Sequence, residues 1–239
     1  MAISKAGLPG TREVWVMEPL SDASVVNAAS FTPGAPVAPA SLASVVGSFA
    51  GATTQGAAQF PLPTTLGQTQ VLINGTAAPL VYVSASQINL QIPGALAPGQ
   101  YTVDVRVAGQ SVARSTVSVV TRAPGVFTIL NADGSSNSAA STARSGDTLQ
   151  VYGTGQGPNP GTSGVADGAA APATALTRGL PAVTIGGVRA TVQRSALAAG
   201  QAGVWQITLS VPSGAAKGAS VPLTVSVGGQ TAATSLAIQ

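Results

Sequence analysis

The chain has 239 residues, of which 45% are hydrophobic, 7% are charged and 4% are aromatic, and its net charge is +3. This length suits two domains of ordinary size, and the hydrophobic share excludes disorder of the highly charged kind. So few charges also argue against long helices, whose exposed faces carry Glu, Lys and Arg. The chain has neither Cys nor His, so it has no disulfide framework and no side chain that ordinarily titrates near neutral pH.

The distribution of basic and apolar residues limits the classes of partner that the chain can bind. The ten Lys and Arg form no run or stripe, so we expect no nucleic-acid partner. No stretch approaches 18 consecutive apolar residues, and we expect no membrane insertion. Residues 1–20 carry Lys5, Arg12, Glu13 and Glu18 and lack the apolar core of a signal peptide. We expect a piece of a longer exported chain, secreted or held at the cell surface.

Short segments of alternating apolar and polar residues follow one another along most of the chain. Turn signals such as Asn74-Gly75, Pro98-Gly99, Gly186-Gly187 and Gly228-Gly229 separate them. No segment of 11 residues has a helical period, so the pattern predicts an all-β fold of the sandwich or barrel kind. The predicted strands are Val71–Ile73, Leu80–Val83, Gln87–Ile92, Tyr101–Val107, Ser111–Val120, Leu149–Tyr152, Val183–Ile185, Ala190–Gln193, Val204–Val211, Val221–Val227 and Thr231–Ile238.

Alternation assigns a face to each side chain in two of these strands, because a slip of one residue would expose every apolar group. The apolar sets, which point inward, are Ile88, Leu90 and Ile92 in one strand and Trp205, Ile207, Leu209 and Val211 in the other. The polar sets, which point outward, are Gln87, Asn89 and Gln91 in one strand and Gln206, Thr208 and Ser210 in the other. These outward rows are the best candidates for a polar recognition face.

The chain contains an internal repeat, which is its most informative feature. Segments 87–93 and 206–212 match at an offset of 119, and Gly109-Gln110-Ser111 matches Gly229-Gln230-Thr231 at 120. The other matches join Ile73-Asn74-Gly75 to Ile185-Gly186-Gly187 at an offset of 112, and Val45-Val46-Gly47-Ser48 to Val151-Tyr152-Gly153-Thr154 at 106. The matches keep the same order while the offset drifts, as loop insertions between two copies of one fold would produce.

Two domains follow from this repeat. Residues 23–122 are predicted to form the first sandwich and residues 123–239 the second, joined by the stiff connection Arg122-Ala123-Pro124-Gly125. Residues 1–22 lie outside the repeat. Val14-Trp15-Val16 in that segment predicts an extra edge strand or the tail of a preceding domain.

Several motifs, taken in order, resemble a known family. The strand followed by Gly-Ser/Thr, then Ile-x-Gly, then x-Ile-x-Leu-x-Ile/Val-Pro and a closing Val-x-Val-x-x-Gly-Gln resembles the TIG/IPT immunoglobulin-like domain. The longer matching segments are Val25-Val26-Asn27-Ala28-Ala29-Ser30-Phe31, Pro79-Leu80-Val81-Tyr82-Val83-Ser84-Ala85-Ser86-Gln87-Ile88-Asn89, Ala123-Pro124-Gly125-Val126-Phe127 and Val151-Tyr152-Gly153-Thr154-Gly155-Gln156-Gly157-Pro158. These segments are similar to an uncharacterised C-terminal module of large exported proteins of soil bacteria.

The resemblance covers residues 23–239 and implies a fold class. The expected fold is all-β, with two immunoglobulin-like (TIG/IPT-type) β-sandwich domains in tandem. It also implies an exported context and a C-terminal position. It implies no activity, because none is assigned to the family.

Most catalytic chemistry is excluded by the residues that the chain lacks. Without His or Cys there is no Ser-His-Asp or Cys-His site, and the usual general base and commonest metal ligand, His, is missing. No G-x-S-x-G elbow, phosphate-binding loop or dinucleotide fingerprint is present. A hydrolase would have to use an unrecognised carboxylate site, with Asp133, Asp147 and Asp167 as the residues to test. We predict that the chain is not an enzyme and needs no cofactor.

The segment Asn131-Ala132-Asp133-Gly134-Ser135-Ser136-Asn137 is rich in oxygen ligands and resembles a calcium loop. It holds one carboxylate, where a calcium site needs several. Asn131 and Asp133 are therefore weak metal candidates. A β-turn with Asp-Gly at its tip is the favoured interpretation.

Carbohydrate binding needs an exposed aromatic platform, and the chain has nine aromatic residues. Trp205, Tyr101 and Phe127 are expected on inward faces, while Tyr82, Tyr152 and Trp15 remain candidates for the surface or for a domain interface. Together with the outward rows, these considerations define the candidate binding residues. These residues are Gln87, Asn89, Gln91, Gln206, Tyr152 and Asn159.

Two long loops, 47–67 and 155–179, are expected to carry any specificity. Deleting residues 162–174 should then remove binding and leave folding intact. The leading functional interpretation is a non-enzymatic exported interaction, adhesion or spacer module whose partner is a protein or polysaccharide at the cell surface. The alternatives are a carbohydrate-binding accessory domain of a secreted enzyme, the hydrolase above, and self-association through edge strands with few charges.

Overall fold

The computed structural model describes residues 2–6, 14–18, 20–157, 165–177 and 179–239, and their regular structure is entirely β. None of them forms a helix of the length and apolarity needed to cross a membrane. Near the N-terminus, β1 (Ala2–Ala6) and β2 (Val14–Glu18) form a separate two-stranded antiparallel sheet. Val14–Val16 therefore pairs with β1 and not with either of the sandwiches that follow.

Nine strands form the first sandwich. Its two layers have the orders β5-β8-β9-β4-β3 and β3-β11-β10-β6-β7, and β3 belongs to both. The end of β3 pairs antiparallel with β4, while Ser21 and Asp22 at its start pair parallel with Ala113 and Arg114. The strands are β3 (Ser21–Asn27), β4 (Leu42–Gly47), β5 (Gln55–Gly56), β6 (Thr69–Ile73), β7 (Thr76–Ala77), β8 (Leu80–Val83), β9 (Gln87–Gln91), β10 (Gly99–Val107) and β11 (Gln110–Val119).

Eight strands form the second sandwich, in two four-stranded layers. Their orders are β12-β13-β17-β16 and β15-β14-β18-β19. The first layer repeats the order β3-β4-β9-β8, and the second repeats β7-β6-β10-β11. The strands are β12 (Gly125–Leu130), β13 (Thr148–Thr154), β14 (Ala182–Ile185), β15 (Val188–Arg189), β16 (Thr191–Leu197), β17 (Trp205–Ser210), β18 (Gly218–Val227) and β19 (Gln230–Ile238).

The four sequence matches fall on corresponding strands and turns of the two sandwiches. Segments 87–93 and 206–212 begin in β9 and β17, and the matches at Val45 and Val151 lie in β4 and β13. The turns at Asn74-Gly75 and Gly186-Gly187 join β6 to β7 and β14 to β15. The matching segments that start at Gly109 and Gly229 lie where β10 turns into β11 and β18 turns into β19. The prediction of an all-β chain with two immunoglobulin-like sandwiches in tandem is confirmed.

Each sandwich has its own apolar core, built from the inward side chains that alternation predicts. Ile88, Leu90 and Ile92 are fully buried in the first core. The second core holds Trp205, Ile207, Leu209 and Val211, and the indole Nε1 of Trp205 donates to Ser195 Oγ at 2.8 Å. The polar handle of the largest buried side chain is thus satisfied, as a buried indole requires.

One aromatic assignment is wrong. Phe127 was expected on an inward face because of its apolar neighbours, but its side chain is 40% exposed. A β-bulge between Val126 and Thr128 places two residues of β12 opposite one step of β13, which breaks the alternation at this position. Tyr101 is partly buried against the first core, with its hydroxyl donating to Ala97 O at 2.9 Å.

Leu90 and Leu209 occupy corresponding core positions, and each is fully buried. Leu90→Ala and Leu209→Ala should each lower the free energy of unfolding by about 2–5 kcal/mol, because a cavity is left in a close-packed core. Denaturant unfolding followed by circular dichroism measures this. Thr208→Ala, on the outward face of β17, is the control and should lower it far less. Equal losses for Thr208→Ala and Leu209→Ala would contradict the assigned register.

Candidate functional site

The structure divides the predicted polar row of β9 into two environments. Gln87 and Asn89 remain at the surface, whereas Gln91 is 5% exposed and lies between the sandwiches. Gln91 Nε2 donates to Ala40 O at 3.1 Å, and its Oε1 accepts from Gly168 N of the second sandwich at 2.6 Å. The expectation that Gln91 belongs to a solvated recognition face is therefore wrong. Its side chain does point away from the first core, but the second sandwich covers it.

Gln87 and Asn89 line a shallow cleft at the junction of the two sandwiches. Ser44 Oγ and Gln87 Nε2 each donate to Asn89 Oδ1 at 2.8 Å, which fixes the orientation of the Asn89 amide. Within the described residues, Asn89 Nδ2 and Gln87 Oε1 have no hydrogen-bond partner. The cleft therefore offers one oriented donor group and one acceptor.

Two exposed aromatic rings flank these amides. Phe31, from the turn after β3, and Phe127, from the bulge in β12, line the same cleft, whose volume is about 170 Å³. They are 47% and 40% exposed. We call this site, formed by Phe31, Ser44, Gln87, Asn89 and Phe127, the amide–aromatic cleft.

The backbone of Phe31 is strained, with a φ of +50°. A bulky residue in the left-handed region costs about 1–2 kcal/mol, and Gly or Asn is the ordinary choice there. Asn27 holds this turn: its Oδ1 accepts from Ala29 N at 2.8 Å, and its backbone oxygen accepts from Phe31 N at 3.0 Å. An exposed aromatic side chain on a strained backbone is explained neither by core packing nor by turn preference.

The corresponding face of the second sandwich is satisfied internally. Gln206 Nε2 donates to Gln150 Oε1 at 2.8 Å and to the Tyr152 hydroxyl at 3.0 Å, and that hydroxyl donates to Gln150 Oε1 at 2.9 Å. The structure thus brings the predicted residues Gln206 and Tyr152 together. Asn159 lies outside the described residues.

The two sandwiches are joined by hydrogen bonds that uncharged side chains donate or accept and that one carboxylate accepts. The fully buried hydroxyl of Thr154 accepts from Leu42 N of the first sandwich and donates to Gly203 O of the second, both at 2.8 Å. Asn27 Nδ2 donates to Ala123 O at 2.8 Å. We call these contacts, together with those of Gln91 and Asp167, the interdomain interface.

Loop 155–179 contributes to this interface. Both carboxylate oxygens of Asp167 accept from Gly94 N, at 3.1 and 2.9 Å, and Leu62 N donates to Gly168 O at 2.8 Å. The described part of this loop, 165–177, therefore docks against the first sandwich, and the assignment of specificity to the two loops stays a prediction. Deleting residues 162–174 would remove Asp167 and Gly168, so it should loosen the docking of the sandwiches.

Three glycines, which the sequence reasoning did not assign, make the close approach possible. Gly153, Gly155 and Gly157 alternate along the end of β13 and its continuation. A Cβ on Gly155 would lie 1.8 Å from Ala123 O, and one on Gly157 would lie 2.1 Å from Thr121 O. The signal was present in the sequence as Gly-x-Gly-x-Gly, and the φ of +83° at both Gly155 and Gly157 also favours glycine.

A cavity of about 320 Å³ lies at the interface, and Gln91, Gln156 and Asp167 line it. Gln156 is 4% exposed, and its Oε1 has no hydrogen-bond partner within the described part of the chain. An unpaired buried acceptor is destabilising by about 1–3 kcal/mol. This wall of the cavity can therefore accept a hydrogen bond from a small donor group.

The weak metal candidates lie in a turn that is bonded to itself. Asn131 Oδ1 accepts from Asn137 Nδ2 at 3.0 Å, and Asp133 Oδ1 accepts from Ser135 N at 2.9 Å and from Ser135 Oγ at 2.7 Å. These bonds from Ser135 hold the pKa of Asp133 below its ordinary value. No group of three or more Asp or Glu residues occurs in the described ranges. The oxygens of Asn131 and Asp133 thus serve the turn.

Comparison with known proteins gives no family assignment. The chain matches no protein-family model and no curated protein. Among solved structures it is similar to the Bacteroides ovatus mixed-linkage glucan utilization locus SGBP-B in complex with a mixed-linkage heptasaccharide, at a TM-score of 0.35 and 12% identity. That match covers 100% of this chain and 64% of the other. The chain is also similar to the I9–I11 tandem of titin, at 0.25 and 11%, with 95% and 68% covered.

A third similar structure is bovine butyrophilin, with a TM-score of 0.25, 10% identity and coverage of 92% of this chain and 99% of the other. At scores of this size the likeness carries no inference about ligand, partner or activity.

Thr154 offers a direct test of the interdomain interface. Thr154→Val keeps the shape of the side chain but leaves Leu42 N and Gly203 O buried without partners, so it should lower the free energy of unfolding by about 1–3 kcal/mol. Thr154→Ser retains the hydroxyl and should lie much closer to wild type. Denaturant unfolding of both variants measures the difference. A valine variant as stable as wild type would show that the hydroxyl does not hold the sandwiches together.

Proposed function

We propose that this chain is a non-enzymatic interaction and spacer module, in which two TIG/IPT-type domains, 23–122 and 123–239, are held in one fixed orientation. The chain is a duplicated pair, and it works as part of an exported protein that meets a protein or polysaccharide at the cell surface. The exported context rests on the resemblance of residues 23–239 to such modules. The fixed orientation rests on the contacts between the sandwiches.

The interdomain interface is the observation that carries this proposal. Flexibly tethered domains are joined by exposed linkers that few contacts cross. Here, by contrast, the connection itself is bonded on both sides: Ala123 N donates to Gly155 O at 2.9 Å, Ala123 O accepts from Asn27, and Arg122 Nη1 donates to Gln156 O at 2.7 Å. Contacts at 42, 91, 94 and 168 extend the interface well beyond the connection. Such a unit transmits position from one end to the other, as a spacer must.

The side-chain chemistry supports a role without catalysis. The chain has no His and no Cys in its 239 residues. The three carboxylates that a hydrolase would have to use each accept hydrogen bonds from a nearby backbone amide: Asp133 from Ser135 N, Asp147 from Arg144 N at 2.8 Å, and Asp167 from Gly94 N. Two of them hold turns and one holds the interface, so each has a structural task.

Rigid docking predicts that the two sandwiches tumble as one body. Backbone ¹⁵N relaxation of the full chain should give a single rotational correlation time for both. The double variant Asp167→Ala/Gly168→Ala should give two shorter times, because it removes the bonds to Gly94 and adds a Cβ that meets Leu62 O at 3.1 Å. Gly56→Ala, where a Cβ meets nothing within 4 Å, is the control. Two independent times in the wild type would refute the spacer role.

A second candidate function, carbohydrate binding, is favoured by the amide–aromatic cleft. Sugar sites combine apolar ring faces with a few oriented hydrogen-bonding groups. Phe31 and Phe127 supply exposed rings, Asn89 Nδ2 supplies a donor and Gln87 Oε1 an acceptor. The strain at Phe31 supports this use, since strained residues are retained where a side chain has a task outside the fold.

A substitution at Phe31 should change carbohydrate binding and stability in opposite directions. Phe31→Asn should raise the free energy of unfolding by up to about 1 kcal/mol, because Asn tolerates the left-handed region better, while it lowers retention on polysaccharide at least tenfold. Phe127→Ala should lower retention by a similar factor. The measurements are thermal unfolding and pull-down on insoluble cellulose, chitin and xylan.

The control is Leu180→Ala, which removes a 61% exposed apolar side chain outside the cleft and should leave retention unchanged. If the wild type is retained on none of these polysaccharides, carbohydrate binding by the cleft is excluded while the spacer proposal stands.

A further inference from the structure

The last strand of each sandwich lies beside a segment that closes part of its outer edge. In the first sandwich, Val37 N donates to Ser118 O and Val120 N donates to Val37 O, both at 2.9 Å. In the second, Ala143 N donates to Ala237 O at 3.0 Å and Gln239 N donates to Ala143 O at 2.9 Å. Both contacts are parallel bridges, Val37 with Val119 and Ala143 with Ile238. They are equivalent, and they align β11 with β19 at an offset of 119.

Further along the edge the two sandwiches differ. Ser21 and Asp22 pair parallel with Ala113 and Arg114, so an additional segment of strand covers β11. The same offset makes Ala232 and Ala233 the counterparts of Ala113 and Arg114. Over the described residues, no strand forms a ladder with β19 on this side between 230 and 235, and its one ladder partner, β18, lies on the other side.

The interdomain interface explains the difference. The segment that would have to cover β19 is the connection itself, at Pro124 and Gly125. That segment is held elsewhere, because Ala123 N donates to Gly155 O and Ala123 O accepts from Asn27 Nδ2. Pro124 has no N–H to donate to β19. The edge is therefore left open at the place where the first sandwich fills it.

The open edge forms one wall of a groove of about 540 Å³. The opposite wall comes from the first sandwich, at 27–36, and the floor is the connection at 123–126. The groove thus continues the interdomain interface. Because a strand advances about 3.3 Å per residue, the edge residues 230–234 accommodate a segment of about five residues.

The backbone groups that face the groove follow from the ladder. Residues of an antiparallel edge strand direct their N–H and C=O alternately toward the partner strand and away from it. Ala237 directs both outward, since Asn137 Oδ1 accepts from its N–H at 2.7 Å and Ala143 donates to its oxygen. Thr231, Ala233 and Ser235 share this phase, and Thr231 and Ala233 line the groove. Each presents an N–H and a C=O that a strand can pair with.

We propose that this groove binds an extended peptide segment of a partner protein, which adds to the second sandwich as a strand parallel to β19. The first sandwich contains the template, since Ser21 and Asp22 occupy the corresponding position in the parallel direction. None of the residues that line the groove is ionisable, and most are Ala, Ser, Thr or Pro, so the segment that fits is uncharged and small in its side chains. Main-chain hydrogen bonds provide most of the affinity in such strand addition.

The test uses the full chain and a synthetic peptide with the sequence of residues 20–27, blocked at both ends and carrying Asp22→Asn. On saturation, hydrogen exchange at the Thr231 and Ala233 amides should slow at least tenfold, as measured by NMR. The same peptide with proline at the positions of Ser21 and Ala23, which lie opposite 232 and 234 in the register of the template, cannot extend the ladder and should give no protection. No change at either amide at millimolar peptide would overturn the proposal, as would equal protection by the proline peptide.

Two variants at Ala233 test the contribution of its backbone N–H to binding. Ala233→Pro removes an N–H that faces the groove and has no ladder partner among the described residues, and proline is tolerated at a sheet edge in this orientation. It should weaken binding at least tenfold, whereas Ala233→Ser keeps the N–H and should bind within twofold of wild type. A folded Ala233→Pro that binds the peptide like wild type would refute strand addition. If this variant does not fold, the exchange measurement on the wild type still decides the question.

Sedimentation of the chain alone tests whether a second copy of the chain occupies the edge of β19. A monomer whose Thr231 and Ala233 amides exchange freely is expected. A dimer in which those amides are already protected would mean that a second copy fills the edge, and would overturn the assignment to a partner peptide.

Discussion

The Thr154 hydroxyl accepts from the first sandwich and donates within the second, and it does so with no access to solvent. Buried peptide groups need partners, so two sandwiches can dock closely only where side chains supply them. Thr154, Asn27 and Gln91 do this without any charge, which avoids the desolvation penalty of a buried ion pair. The fixed relation between the sandwiches, and every site formed at their junction, depends on this set of bonds.

The position of the connection, residues 122–125, has two structural consequences. Because Gly155 and Gly157 lack side chains, residues 121–123 lie directly against the end of β13 and its continuation, which closes the interface. The same placement keeps residues 124 and 125 away from β19, which opens the groove. The amide–aromatic cleft lies on another side of this junction, where Phe127 of the second sandwich meets Gln87 and Asn89 of the first. Both proposed binding sites therefore require both sandwiches.

Particular residues show how far sequence reasoning reached. The eleven predicted strands all coincide with observed strands, because alternation with period two and flanking glycines are local signals. The buried faces of β9 and β17 were predicted correctly for the same reason. The strands β3 and β12 were not predicted, since a change of sheet partner in β3 and a bulge in β12 interrupt their alternation. The strands β5, β7 and β15 were not predicted either, because two residues are too few to show a period. Of the candidate site residues, Gln87 and Asn89 lie together at a cleft and Gln206 lies with Tyr152, but the ring that completes the cleft, Phe127, was assigned to the core.

By itself the sequence determined the β class, the duplicated order of motifs, the register of the core strands and the absence of imidazole and thiol chemistry. Each of these depends on composition or on neighbours within about ten residues. The tertiary structure alone decided that Gln91 is covered while Gln87 is not, that loop 165–177 holds the first sandwich, and that β19 lacks the strand that β11 has. These outcomes depend on contacts between residues 70 to 110 positions apart, such as Gln91 with Gly168 and Asn27 with Ala123, and no local pattern encodes how two finished sandwiches dock.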